Sequence, residues 1–416
     1  MKFSIVTFGC RVNQADSLHL EEDLRRGGAE PATSRTADLV IVNTCSVTAS
    51  ADQGARQTIR RIARENPGAR IVATGCYATR QPEELRALPN VVRVIRNDDK
   101  LDLVNLVGMS TAERYAGGNG PCGSSLVPGM AGRTAFTLRV QTGCDQPCAY
   151  CIIPATRGRG RSLSLEAVVS EARRVAEAGF KEIALTGVHL GSYGRDLERP
   201  ASLFGLLCEL ERADLGVTFR ISSLEPMDCT SDIVSLVARS GGRFAPHFHL
   251  PLQHASDRML RAMRRPYTFD YYRELVDGIV ERLPHASIGS DMIVGFPGET
   301  DEDFASNLSY LPQSPLSHLH VFPYSDRPGT AASEMSGKVD GGVTRQRGAL
   351  LREIGAVLKE RFRAAQVGSV RPGLTLDDGS AVVTDNYLKV TIPAGRVRNE
   401  RVQVRLIDAD TGVLVS

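Results

Sequence analysis

The first hundred residues alternate two patterns. Short apolar runs, KFSIVT (2–7), ADLVIV (37–42) and ARIVAT (69–74), are followed by stretches whose apolar residues recur at helical spacing, roughly Gln14–Arg26 and Ala49–Glu65. The run NVVRVI (90–95) closes the series. Such strand–helix–strand alternation predicts a parallel sheet with right-handed crossovers. All carboxyl ends of its strands then lie on one edge, where ligands bind. Residues 116–132 hold six glycines and two prolines and read as a flexible linker. Beyond it come TAFTLRV (134–140), EIALTGV (182–188), VTFRISS (217–223), FHLPLQ (248–253), SIGSDMIVG (287–295) and LHVFPYS (319–325), with helical stretches such as 165–178 and 269–283 between them. Six such units predict a partial (β/α)6 barrel with its chemistry at the strands' carboxyl ends. A long helix, roughly Val343–Ala365, is followed by an alternating tail that predicts a small antiparallel β-barrel. The reading is therefore α/β, with divisions at 1–110, 111–133 (linker), 134–342, 343–365 and 366–416.

Composition narrows this little. The 416 residues, 42% hydrophobic, can fill several cores, and 50 basic against 48 acidic residues announce neither nucleic acid nor membrane. There is no apolar run of the roughly 18 residues that would span a bilayer, so no membrane partner is expected. The apolar stretch at the start is too short for a signal peptide, and a cytoplasmic protein is expected. In that compartment nine cysteines point to metal ligation or catalysis rather than disulfides.

The cysteines fall into an order. Cys144, Cys148 and Cys151 lie within eight residues as CxxxCxxC, with no fourth Cys or His close behind. Cys10, Cys45 and Cys76 each stand just past one of the first strands, so a parallel sheet would bring them together at its edge. Cys122, Cys208 and Cys229 read as ordinary small buried or loop thiols. A structural zinc site is closed by four ligands. Each triplet is one short. Zinc with an open position fits three thiolates, and so does a 4Fe–4S cluster with one iron left free. None of His189, His247, His249 and His254 has the helical pair spacing of a zinc enzyme, so polar-pocket histidines are the better reading. The Gly-rich GFPGET is no phosphate-cradling loop.

CxxxCxxC (144–151) before a repeating βα pattern resembles the radical S-adenosylmethionine superfamily. Joined by TFGCRVNQADS, VNTCSVT and ATGCYA upstream and by RISSLEP, HLPLQHASDRMLRAMRR, DMIVGFPGET and FPYSDRPGT downstream, it resembles the methylthiotransferases over nearly the whole chain. The form TFGCRVNQADS is most similar to the branch acting on N6-threonylcarbamoyladenosine at position 37 of tRNA. The resemblance implies two 4Fe–4S clusters, one on Cys144, Cys148 and Cys151 and an auxiliary one on Cys10, Cys45 and Cys76. It implies that S-adenosylmethionine chelates the open iron of the first and is cleaved to a 5′-deoxyadenosyl radical that takes hydrogen from C-2 of the modified adenine. The second cluster carries the sulfur, methylated by another S-adenosylmethionine. Cofactor contacts carried over are Tyr150, Thr186, Gly187, Arg220, Ser223, Glu225, Gln253, Ile293, Gly295 and Phe322, with Asn13 and Asn43 beside the auxiliary ligands. The implied partners are the anticodon stem–loop of tRNA and a flavodoxin or ferredoxin as electron donor, and the tail resembles a TRAM domain. The competing branches act on isopentenyladenosine 37 or on a ribosomal-protein aspartate. A reading of another class is a non-catalytic iron–sulfur or zinc protein that binds RNA.

Three basic clusters are the expected phosphate contacts: Arg157, Arg159 and Arg161; Arg258, Arg261, Arg264 and Arg265; and Arg345, Arg347, Arg352, Lys359, Arg361 and Arg363 on the long helix. The tail, with six basic and six acidic residues from Gln366 onward, favours neither RNA nor a basic protein.

Overall fold

The computed structural model describes residues 1–108, 127–129 and 133–415, so most of the 111–133 linker, with Cys122, lies outside the described residues. In the N-terminal sheet five parallel strands lie in the order Glu30–Pro31, Lys2–Thr7, Leu39–Thr44, Arg70–Gly75 and Val91–Ile95. The central strand LVIVNT is buried throughout, which is why it reads as an unbroken apolar run rather than an alternating one. Alternate residues serve opposite faces. Val40 and Val42 pack with Ile59 and Ile62 of the helix Ala49–Glu65, while Leu39 and Ile41 pack with Leu20 and Leu24 of the helix Arg11–Arg26.

The next domain has six parallel strands, Phe136–Arg139, Glu182–Thr186, Thr218–Ile221, His247–His249, Ser287–Val294 and His318–Pro323. They form two three-stranded ladders joined through a bridge between Phe219 and Phe244. The helix Gly341–Gln366 packs along the last strand, and Arg11–Arg26 packs against the first. The N-terminal domain thus closes on one edge of the partial barrel.

Five antiparallel strands make up the tail, in the order Lys389–Thr391, Ala381–Thr384, Val370–Leu376, Arg401–Leu406 and Gly412–Val415. A bridge between Thr391 and Thr411 draws the two edges together, curling the sheet over Val382, Val390, Val404 and Leu406, with Phe362 of the long helix beside them. Among the described residues no helix is long and apolar enough to cross a membrane.

Candidate functional site

Three adjacent strands deliver three cysteines to one edge. Cys10 follows Lys2–Thr7 and occupies the N-cap of Arg11–Arg26; Cys45 follows Leu39–Thr44; Cys76 follows Arg70–Gly75 and opens a short helix, Cys76–Arg80. The register Thr7↔Asn43 and Thr44↔Gly75 sets the strand ends level. Gly9 has φ +89°, and a Cβ there would stand 2.6 Å from Cys45 Sγ, so the turn before Cys10 runs directly over the Cys45 thiol. Cys45 and Cys76 are buried and Cys10 is exposed, all three without a disulfide. Burial, with Cys10 and Cys76 nearby, pushes the bare Cys45 thiol up to about 11.

Cys144, Cys148 and Cys151 are half-buried free thiols on the loop after the first barrel strand. Burial pushes Cys151 up to about 12, and Cys148 and Cys144 beside it push the same way. Taking up a metal centre must therefore release protons from these thiols. The only set of three His, Cys, Asp or Glu ligand atoms within 4.8 Å of one another among the described residues is His249, Asp291 and His320; neither thiol triad is that tight. A tetrahedral zinc with bonds of ~2.3 Å would hold its sulfurs about 3.8 Å apart. Neither triad has the spacing a single zinc would impose, and three thiolates with no fourth ligand suit, in their chemistry, an iron–sulfur group with one iron left open.

The two thiol sites share a wall. The helix opened by Cys76 packs on Ile153–Arg157, the helix that follows Cys151. Asn97 Nδ2 donates to Thr156 O at 2.8 Å and points at Cys76 Sγ at 3.7 Å. Behind the wall lies a buried charged knot. Asp16 accepts from Lys100 at 2.9 Å, from Arg157 at 3.0 Å and from Arg139; Lys100 also reaches Asn43 at 3.1 Å, and Arg157 donates to Asn13. Burial alone would raise the Asp16 pKa, but Lys100, Arg157 and Arg139 together hold it well below the ordinary carboxylate range. Asn13 and Asn43 thus sit beside the thiols, bonded to backbone and to this knot. A second clasp lies on the far side: Ala49 N donates to Ser325 Oγ at 3.0 Å, and Arg327 pairs with Asp52 at 2.7 Å.

The expected cofactor residues divide. Tyr150 packs with Met259, Met263, Ile293 and Phe296. Gln253, at φ +69°, donates its N–H to Asp291 O and accepts from Ile293 N, and Phe322 lies across from Ile293 on the last strand, 40% exposed. Thr186 ends its strand and Ser223 is exposed at the rim. A Cβ on Gly187 would stand 2.9 Å from Gln141 Oε1, so a glycine there lets that side chain lie against the backbone. Glu225 pairs with Arg265, whose Nη1 donates to Cys148 Sγ at 2.9 Å and to Tyr150 Oη at 3.4 Å. Two residues have other work. The carboxylate that Arg220 meets bidentately is the protein's own Glu182, at 2.9 and 3.0 Å, and two further donors reach the carbonyls of Thr384 and Asp385, so four of its five N–H groups are spent within the protein. The neighbour that Gly295 admits is Thr344 of the long helix, whose side chain a Cβ would overlap.

The basic clusters also need correction. Arg157 and Arg265 are buried against the thiol sites, and Arg347 is buried between Glu299 and Asp301, so none of the three can meet a phosphate. Arg159, Arg161, Arg261 and Arg264 remain exposed. Sequence reading passes over Asp16, Asn97, Lys100 and Arg327 altogether. Asp16 lies within the quoted TFGCRVNQADS, the one local signal for it.

The barrel lumen is rich in histidine. Asp291 accepts from His249 Nε2 at 2.9 Å and His320 Nδ1 at 3.2 Å, and the rings of His249, His318 and His320 lie 5.2–6.2 Å apart. Burial, with the nearby charges of Arg220 and Arg11, holds His247 well below the usual imidazole value; burial pulls His318 down to about 4. The unfolded chain would protonate both below about pH 6.5, so stability falls as pH drops through that value. His320, raised by its bond to Asp291, opposes this. The thermal midpoint is therefore expected to fall between about pH 7 and about pH 5, and His247→Gln to make the fall shallower. An unchanged slope in the variant would contradict the assignment.

Residues 2–96 match Uncharacterized protein family UPF0004, and residues 138–311 match the Radical SAM superfamily. The chain is 36% identical to the threonylcarbamoyladenosine tRNA methylthiotransferase MtaB of Aquifex aeolicus over 94% of this chain and 96% of that protein. It is 35% identical to MtaB of Bacillus subtilis, over 92% and 88%. In fold it is similar to TsrM of Kitasatospora setae, a radical S-adenosylmethionine methyltransferase, with TM-score 0.54 over 80% of this chain and 76% of that one at 15% identity.

Proposed function

From the fact that the chain belongs to the radical S-adenosylmethionine methylthiotransferases, we propose that it places a methylthio group on C-2 of N6-threonylcarbamoyladenosine 37 in tRNA. It is a transferase that uses S-adenosylmethionine and two 4Fe–4S clusters. The observation that carries the reading is the pair of three-thiol sets, Cys10, Cys45 and Cys76 and Cys144, Cys148 and Cys151, on the two sides of one shared wall.

Cys144, Cys148 and Cys151 would hold one cluster and Cys10, Cys45 and Cys76 the other. When bound, the clusters supply the electron for reductive cleavage of S-adenosylmethionine and the site that carries the sulfur. The chain's own residues do the rest. Arg265, neutralised by Glu225, donates to Cys148 Sγ and so stabilises negative charge on that sulfur. Tyr150, Gln253, Ile293 and Phe322 form the surface for the cofactor adenine, with Thr186, Gly187, Ser223 and Glu225 at the strand ends around it. Asn97 and Arg157 fix the distance between the two thiol sites before any ligand arrives. Exposed Arg159, Arg161, Arg261 and Arg264, near the first thiol loop, suit the phosphates of an anticodon stem–loop. The electron would come from a flavodoxin or ferredoxin.

The test is nucleoside mass analysis of tRNA from a strain lacking the gene, complemented with the chain. The methylthio form of the threonylcarbamoyl nucleoside should vanish on deletion and return on complementation. Its persistence on deletion, with loss instead of methylthio-isopentenyladenosine or of the ribosomal aspartate modification, would reassign the substrate.

A further inference from the structure

Arg11 stands directly after Cys10 in the first turn of Arg11–Arg26. Its side chain crosses from the auxiliary thiol site to the mouth of the barrel. Nη1 donates to Ser222 Oγ at 3.2 Å, at the end of the strand Thr218–Ile221, and Nη2 donates to Tyr387 Oη at 3.1 Å, with the guanidinium 5.7 Å from the centre of that ring. Both partners are neutral hydroxyls. No carboxylate pairs with Arg11 among the described residues, although it is half-buried.

The carboxylates of the barrel and of the tail beside Tyr387 have partners of their own. Glu182 is held by Arg220, Glu225 by Arg265, Asp291 by His249 and His320, Asp228 by His189 and Arg195, and Asp385, beside Tyr387, by Arg371. Arg11 also lies close enough to His247 for its charge to help keep that ring neutral. A guanidinium with a rigid fork of donors, set in a half-buried mouth and left without a counter-ion, is suited to a planar carboxylate.

The proposed substrate supplies one. Its N6 substituent is threonine joined through a carbamoyl group, which leaves the amino-acid carboxylate free; an isopentenyl group carries no charge. On the reading above, we propose that Arg11 is the residue that selects the substrate, by binding the carboxylate of the threonylcarbamoyl arm between the auxiliary thiol site and the barrel. Ser222 and Tyr387 hold the fork in place for it. The polar lumen beyond, lined by His247, His249 and His320, accepts a hydrophilic arm and would leave its own donors unpaired against an aliphatic one.

The test compares anticodon stem–loop RNAs whose position 37 carries threonylcarbamoyladenosine either as the free acid or as its methyl ester. Binding to the reconstituted full chain is read by fluorescence anisotropy, and methylthio transfer by mass analysis. A hydrogen-bonded charge contact predicts that the wild-type chain prefers the acid by about 10–100-fold. Arg11→Gln should bind both forms alike, near the wild-type affinity for the ester, and Arg11→Lys should keep part of the preference. Iron content, unchanged in both variants, shows that the adjacent Cys10 still holds its group. Equal wild-type binding of acid and ester overturns the proposal, as does a preference that survives in Arg11→Gln. A wild-type chain that discriminates in binding but transfers nothing to the acid form would instead overturn the functional reading and leave carboxylate recognition standing.

Discussion

Cys45→Ala is expected to yield a chain with about four irons where the wild type has about eight, two cubes of four, and with no methylthio product. It should still release 5′-deoxyadenosine from S-adenosylmethionine on reduction. The two outcomes separate because the thiol triads sit on different strands of different sheets, and Cys45 contributes only to the N-terminal one. Cys148→Ala is the mirror case: it too loses about four irons, but cleavage of S-adenosylmethionine disappears with them. Iron analysis and chromatography of the nucleoside products check both. Should Cys45→Ala retain the full iron content, the auxiliary site would have to be built from other residues.

Asp16→Ala should be among the most destabilising single substitutions outside the cores. Its carboxylate is buried and accepts from Lys100, Arg157 and Arg139 at once, so its removal strands two fully buried cations, Lys100 and Arg157. Breaking a buried ion pair by deleting one partner costs about 3–5 kcal/mol. Denaturant unfolding, with Asp16→Asn as the variant that keeps the shape and loses the charge, measures it. A loss within about 1 kcal/mol, the scale of an exposed pair, would mean the knot does not hold the domains together. The pH sense follows from the sign of the shift. With the folded carboxyl held below its unfolded value, the contribution is complete at neutral pH and fades only as pH falls below about 4.

Much of this is legible in the chain because period and composition agree. The run LVIV reads as a central parallel strand since both its faces are covered, and Ala49–Glu65 can be placed to the residue because Thr48 caps it through its side chain. Arg11–Arg26 begins three residues ahead of the sequence reading. Its N-cap is Cys10, which makes no side-chain capping bond, so the usual Ser, Thr, Asp or Asn signal is missing. The segment FHLPLQ yields only the strand His247–His249, because Pro251 cannot donate to a ladder and Gln253 turns to positive φ. The arginines are the hardest to read. Arg157 and Arg265 stand in runs that look solvated, and nothing local marks them as buried: Asp16 lies 141 residues from Arg157, and Cys148 lies 117 from Arg265. Arg220 misleads for a related reason. Its partner Glu182 is a neighbour only once two strands are laid side by side.

Among its contacts with the barrel, the N-terminal domain holds both end strands: through Asp16 it grips Arg139 of the first, and through Asp52 and Ala49 it grips Arg327 and Ser325 just past the last. Those strands are the two ends of an incomplete ring. What a full eight-stranded barrel achieves by closing on itself is done here by a neighbour acting as a staple across the gap. A fragment beginning at residue 134 would carry every cysteine of the CxxxCxxC loop but lose that staple, so it is expected to unfold at lower denaturant concentration than the full chain.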